Sequence, residues 1–300
     1  KDWSRPIYFG SRASRDTYLG LDKYFQLEGL VYHLLPLEQS MDRASRYFYG
    51  SIDRDKMYTN LMENFEWGNM NEGVLIDYYN RRQINHYRLQ FLFLSRSLID
   101  KNDIERAQDI LDRCFEVMPL DNVPIDYNDY ATDQVIASYF LAAAKAKDET
   151  RKNELIESGI PLVQHSIDRS KQNILYYTTL DDYDLIRRTF SRTRSDWEAV
   201  NLYYDICLQN ETVKKLLPES FMNELEATKS EIDQMMVERF EEMRAFYQEH
   251  AVDDPEIYNG FIKSVSENFG ALYETPDTTQ TQPQQPINME QPVPVDTAKP

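Results

Sequence analysis

Residues 91–119, FLFLSRSLIDKNDIERAQDILDRCFEVMP, read as two helices joined by a tight turn. Phe91, Leu94, Ser95 and Leu98 recur at helical spacing, and so do Ala107, Leu111 and Cys114. Lys101-Asn102-Asp103 supplies the turn, and Pro119 stops the second helix because it has no N–H to donate and its ring crowds the preceding turn. The small side chain of Ser95 lets the first helix approach the second, which offers Ala107 and Cys114 at the crossing.

The same positions fall on those of a TPR unit of roughly 34 residues. Residues 130–171 form a candidate second pair, with Ala142, Ala143, Ala144 and Gly159 as close-packing points. TPR-like arrays present a concave groove to peptides; the competing possibility is a structural solenoid that packs on its own protein. Outward from this pair the pattern stays helical. Helices are expected near 55–65, 79–99, 104–117, 130–147, 152–171, 182–209, 219–249 and 256–272, with a loop at Trp67-Gly68-Asn69-Met70-Asn71. In the helix that follows Pro218, the stripe Phe221, Leu225, Ile232, Met236, Phe240, Met243 and Tyr247 reads as a buried packing face. Only 9 glycines stand against 21 tyrosines, a composition that suits helices better than a turn-rich β protein.

The two ends differ from this body. Pro6–Phe9 and Leu30–Leu35 read as short strands, and Tyr18, Leu21, Tyr24, Phe25 and Leu27 between them as a helical turn or loop. At the other end, residues 275–300 hold prolines at 276, 283, 286, 292, 294 and 300 and few apolar side chains, and read as an extended, disordered tail. The expected fold is therefore mainly α: a small mixed α/β segment over 1–50, truncated upstream, a TPR-like helical domain over 51–274, and a tail over 275–300.

The formal charge of −18 is uneven: residues 1–100 are neutral, and residues 101–300 carry the whole excess. Such a surface repels phosphate backbones and anionic headgroups, so nucleic acid is not an expected partner. No stretch has the run of about 20 apolar residues that a membrane span needs. Cys114 and Cys207 stand apart in no motif and read as small buried side chains.

No catalytic constellation is legible. His33, His86, His165 and His250 sit in no zinc-ligand spacing and read as surface or half-buried side chains. No nucleophile elbow or phosphate-binding glycine loop occurs. No catalytic, metal-binding or cofactor-binding residue is assigned, and no cofactor is expected. Asp181-Asp182-Tyr183-Asp184 reads as a helix N-cap. Arg187, Arg188, Arg192 and Arg194 form the basic cluster of an acidic half, a candidate contact for an anion or a partner, with a solvated helix face as the alternative.

Trp3-Ser4-Arg5-Pro6-Ile7-Tyr8-Phe9, Tyr18-Leu19-Gly20-Leu21, and Tyr24 through Tyr32 with Leu34 and Pro36 resemble the signature of a family of large bacterial multi-pass membrane proteins of unknown function. That family resembles the protein O-mannosyltransferases and other GT-C-type glycosyltransferases that use lipid-linked sugars. Met57-Tyr58, Phe65, Trp67-Gly68-Asn69-Met70 and the helix pair closing at Met118-Pro119 extend the resemblance over about residues 1–170. It implies that this chain, which opens at Lys1 and reads as an excised piece, is the soluble C-terminal part of such a protein, on the periplasmic side of the cytoplasmic membrane. The implied function is accessory: a non-catalytic domain that positions an acceptor protein or a partner. The alternative is a TPR-like scaffold that binds peptides or assembles a cell-envelope complex with no link to sugar transfer.

Overall fold

The structure, a computed structural model, describes residues 5–40, 48–125, 129–250 and 255–273. The fold is mainly α with a small mixed segment at the N-terminus. The tail expected over 275–300 lies outside the described residues.

The N-terminal segment is a four-stranded sheet in the order β1 (Tyr8–Gly10), β3 (Val31–Leu34), β2 (Phe25–Leu27), β4 (Ser51–Ile52). β3 runs antiparallel to both neighbours, with Phe9 opposite Tyr32 and Gln26 opposite His33, and β4 joins β2 in parallel. The two strands expected at Pro6–Phe9 and Leu30–Leu35 are present, the first displaced to Tyr8–Gly10. The stretch between them is not only helical turn and loop: it contains β2. Its threefold apolar spacing comes from two 3₁₀ turns, Arg15–Tyr18 and Asp22–Tyr24, and Phe25-Gln26-Leu27 is too short to show alternation. Tyr18 is the keystone of this layer, with ring edges on Phe25, Tyr32 and Tyr49 at 5.1, 5.9 and 5.4 Å.

From Asp53 the chain is helical. α1 (Arg54–Thr59), capped by the Asp53 side chain, continues into a wide turn at Asn60–Asn64. α2 (Tyr78–Asp100) starts where the Asp77 carboxylate accepts the N–H groups of Tyr79 and Asn80 at 2.8 and 3.1 Å. α3 (Ile104–Val117) packs back on α2 and ends before Pro119, as the 91–119 stretch requires. Ser95, Ala107 and Cys114 are fully buried at this crossing. Neither small site has room for a large group. Ser95→Leu and Ala107→Phe are each expected to cost about 1–3 kcal/mol, read as a lowered denaturant midpoint. An unchanged midpoint in both would mean that the two helices cross in another register.

α4 (Tyr130–Lys145) and α5 (Glu149–Thr178) form the second antiparallel pair. Ala142 and Ala143 are buried, and a Cβ added at Gly159 would lie 3.0 Å from the Phe140 ring. α5 begins earlier and ends later than the 152–171 pattern and runs through Pro161. The burial of Leu155, Ile156, Val163 and Ile167 on both sides of the proline holds it helical. The single helix expected over 182–209 is three pieces: α6 (Tyr183–Arg188), α7 (Phe190–Tyr204) and a wide turn at Asp205–Gln209. The break falls at Thr189, whose hydroxyl donates to the Ile186 carbonyl at 2.7 Å. Asp182 caps α6 by accepting from the Leu185 N–H, the role expected of it.

α8 (Glu211–Lys214) leads to α9 (Glu219–His250), and α10 (Pro255–Phe269) follows. The chain divides into two compact units, 1–239 and 240–300. In the first, one apolar core runs from Tyr18 of the sheet layer to Leu225 of α9. In the second, Phe240 packs on Phe269 and Tyr273, Tyr247 stacks on Phe261 at 4.9 Å, and the Tyr273 hydroxyl donates to Glu241. The whole Phe221–Tyr247 stripe is buried, as a packing face should be.

Candidate functional site

Two buried polar clusters hold the helical body. Arg88, 1% exposed, projects from α2 and donates to Asp129 at 3.0 Å and Thr132 at 2.9 Å on the start of α4. Its other terminal nitrogen donates to the carbonyls of Met118 and Val123 at 3.0 and 2.7 Å. Arg169 of α5 grips the same connection through the Ile125 carbonyl at 3.1 Å. Buried Arg88 and half-buried Arg169 thus hold the backbone carbonyls of Met118, Val123 and Ile125.

Arg169 also pairs with Asp196 of α7 at 3.0 Å, and Asn173 donates to the same carboxylate. Nearby, Asp133 of α4 accepts from the Ser166 and Tyr203 hydroxyls, each at 2.6 Å. Burial pushes both carboxyls up; Asp196 rises to about 6 because desolvation outweighs the pull of Arg169. These groups bind α4, α5 and α7 into one body and are paired with one another. A carboxyl whose folded pKa lies above its unfolded value contributes stability at low pH and loses it as pH rises through the folded pKa. The stability of the native chain relative to Asp196→Asn is therefore expected to fall between pH 4 and pH 7, by about 3 kcal/mol for a shift of that size. Parallel denaturation curves at pH 4, 5, 6 and 7 check it; a pH-independent difference between the two proteins would contradict it.

The four clustered arginines are divided between two helices. Arg187 and Arg188 end α6, while Arg192 and Arg194 lie in the first turns of α7. Arg188 and Arg192 are exposed, and Arg194 donates to Glu198 at 2.7 Å, a pairing that fits a solvated helix face. His33 and His86 are half-buried and His165 and His250 exposed. Cys114 and Cys207 are buried free thiols, each pushed up to about 12 by burial. Among the described residues no helix is long and apolar enough to cross a membrane.

A groove of about 710 Å³ opens between Leu30 at the sheet, the irregular stretch Phe65–Asp77, and the first turns of α2. Its floor is aromatic: Trp67 meets Phe65 and Tyr87 edge-on at 6.0 Å and anchors on buried Phe91 at 5.1 Å. The Trp67 indole N–H donates to the Leu61 carbonyl, which fixes the ring. The rim holds Val74 and Leu75, the latter 92% exposed, beside the polar side chains of Asn69, Asp77 and Gln83. Asn122 of the arginine-held loop donates to the Met70 carbonyl at 3.3 Å, so the groove wall is tied to the helical body. A connection this long without secondary structure is uncommon in a compact domain and tends to carry function. None of the four clustered arginines lines the groove. The sequence offered Trp67–Asn71 only as a loop; exposure of Val74 and Leu75 has no local sequence signal, because the same residues at the same spacing would serve a buried turn.

No curated protein and no solved structure matches the chain. Its first 56 residues, which build the sheet and the start of α1, match the family model described as TMEM260-associated domain 2.

Proposed function

We propose that this chain is the non-catalytic extracytoplasmic C-terminal domain of a glycosyltransferase-like membrane protein, standing on the periplasmic side of the cytoplasmic membrane, and that it positions an acceptor protein or a partner. The observation that carries the reading is the match of residues 1–56 to a TMEM260-associated domain, over the same stretch whose residues resemble the O-mannosyltransferase-like membrane proteins. A groove built directly behind that stretch, on a helical body locked by buried ion pairs, is the kind of rigid surface that positioning needs. The acidic charge disfavours nucleic acid and favours a protein partner. Arg188 and Arg192 offer a second, cationic contact to an anionic group of a partner.

The two antiparallel pairs α2/α3 and α4/α5 favour a second reading, a TPR-like scaffold that binds peptides or assembles a cell-envelope complex without any link to sugar transfer. Incubating the purified chain with lipid-linked sugars, nucleotide sugars and a mixture of acceptor peptides tests the non-catalytic part of both. No transfer is expected. Turnover that depends on a metal or on one of its carboxylates would overturn the assignment.

A further inference from the structure

The groove has a chemistry that narrows what it can take. Residues 61–80, which supply most of its wall, carry four carboxylates, Glu63, Glu66, Glu72 and Asp77, and no Lys or Arg. Glu66 and Asp77 line the groove, and among the described residues no basic side chain does. Two arginines stand beside the groove without lining it: Arg81 donates its Nε to the Ile76 carbonyl at 2.9 Å, and Arg12 bonds to the Gln83 side chain. The Asp77 carboxyl, which caps α2, is held below the usual range, first by the Asn80 N–H.

Behind this acidic rim lie the rings of Trp67 and Tyr87, and an aromatic face attracts cations through the ring quadrupole. Asn69 offers both a donor and an acceptor, the complement of an extended peptide backbone, and Gln83, whose Oε1 accepts from Arg12, retains its amide N–H groups as donors. Leu75 stands almost fully in water beside Val74, an apolar surface open to contact. Acidic rim, aromatic floor, amide walls and an aliphatic lip belong together in one ligand.

We propose that this groove is a docking site for an extended segment of a partner protein in which Lys or Arg residues stand beside aliphatic ones. The cationic heads meet Glu66, Asp77 and the aromatic floor, and an aliphatic side chain covers Leu75. This deepens the positioning role above and rests on it, but it concerns the groove alone.

Titration calorimetry of the whole 300-residue chain tests it with three synthetic nonapeptides of alternating charged and aliphatic residues: one with Lys and Leu, one with Glu in place of Lys, and one with Gln in place of Lys. Spermidine serves as a cation without a backbone. Saturable binding of the Lys peptide is expected, weakened by salt, with the Glu peptide silent and the Gln peptide weaker. Glu66 and Leu75 are exposed, so their variants should fold. Glu66→Lys is expected to weaken the Lys peptide by roughly fivefold, and Leu75→Asp by roughly tenfold. Equal binding of the Lys and Glu peptides, equal binding of spermidine, or affinities untouched by both variants would overturn the proposal. Loss of the peptide interaction in a chain that still supports positioning through its helical face would sink this inference and leave the broader reading standing.

Discussion

Replacing Arg88 with Met is expected to destabilise the first unit by about 3–5 kcal/mol, among the largest effects any single change in this chain should produce. The guanidinium is buried, and its removal leaves the Asp129 carboxylate without its counter-charge and the Met118 and Val123 carbonyls without this donor in a buried site. The cost therefore lies in what is left unpaired rather than in the lost pair itself. That distinction is testable. Asp129→Asn keeps an oxygen for the Thr132 N–H at the start of α4 while removing the stranded charge. The double variant Arg88→Met with Asp129→Asn should be more stable than Arg88→Met alone, measured by urea midpoints at constant slope. A double variant no better than the single one would show that the charge on Asp129 is not the problem.

Gly50→Ala is expected to cost about 3 kcal/mol or more, from a different cause. Gly50 has φ of +72°, where a Cβ is disfavoured, and that Cβ would lie 1.8 Å from the Phe25 carbonyl oxygen. Both collision partners are backbone, so no side-chain rotation relieves the overlap. β4 would be pushed from β2, and with it the edge of the sheet that buries Phe25 and Leu27. Gly68→Ala is the control. Its φ of +65° carries the same strain, but nothing lies within 4 Å of the added atom, so the cost should stay near the conformational part alone, about 1–2 kcal/mol. Equal losses at the two positions would mean that strain, not the collision, dominates at Gly50.

The sequence shows much of this fold wherever a helix is long and one-sided. α3 lies where its apolar spacing and Pro119 put it, and the Phe221–Tyr247 stripe is buried along its length. Short elements escape the same reasoning. β2 and β4 are held by their neighbours and by the aromatic cluster around Tyr18, long-range contacts that leave no local period. The break at Thr189, where the backbone leaves the helical region at φ −97° and ψ 2°, interrupts a pattern that is continuous in the sequence. Arg88 was legible in principle. It sits four residues after Ile84 and three before Phe91, inside the buried stripe of α2, and a charged residue there requires a buried partner. Asp133, surrounded by Ala131, Val135 and Ile136, carries the same message. The groove was the least visible feature, because it arises where three separate parts of the chain meet and its lip is made of ordinary aliphatic residues.

If the chain belongs to the glycosyltransferase-like membrane protein proposed above, steady-state sugar transfer by that protein, carrying Glu66→Lys together with Leu75→Asp, tests the central claim most directly. A domain that only positions an acceptor binds it equally well before and during the chemical step, so its loss raises KM and leaves kcat alone. The expected result is a severalfold rise in KM for the acceptor protein at unchanged kcat, with KM for the sugar donor unaffected. A fall in kcat with KM for the acceptor unchanged would contradict the account, because it would place this chain in the chemistry rather than beside it.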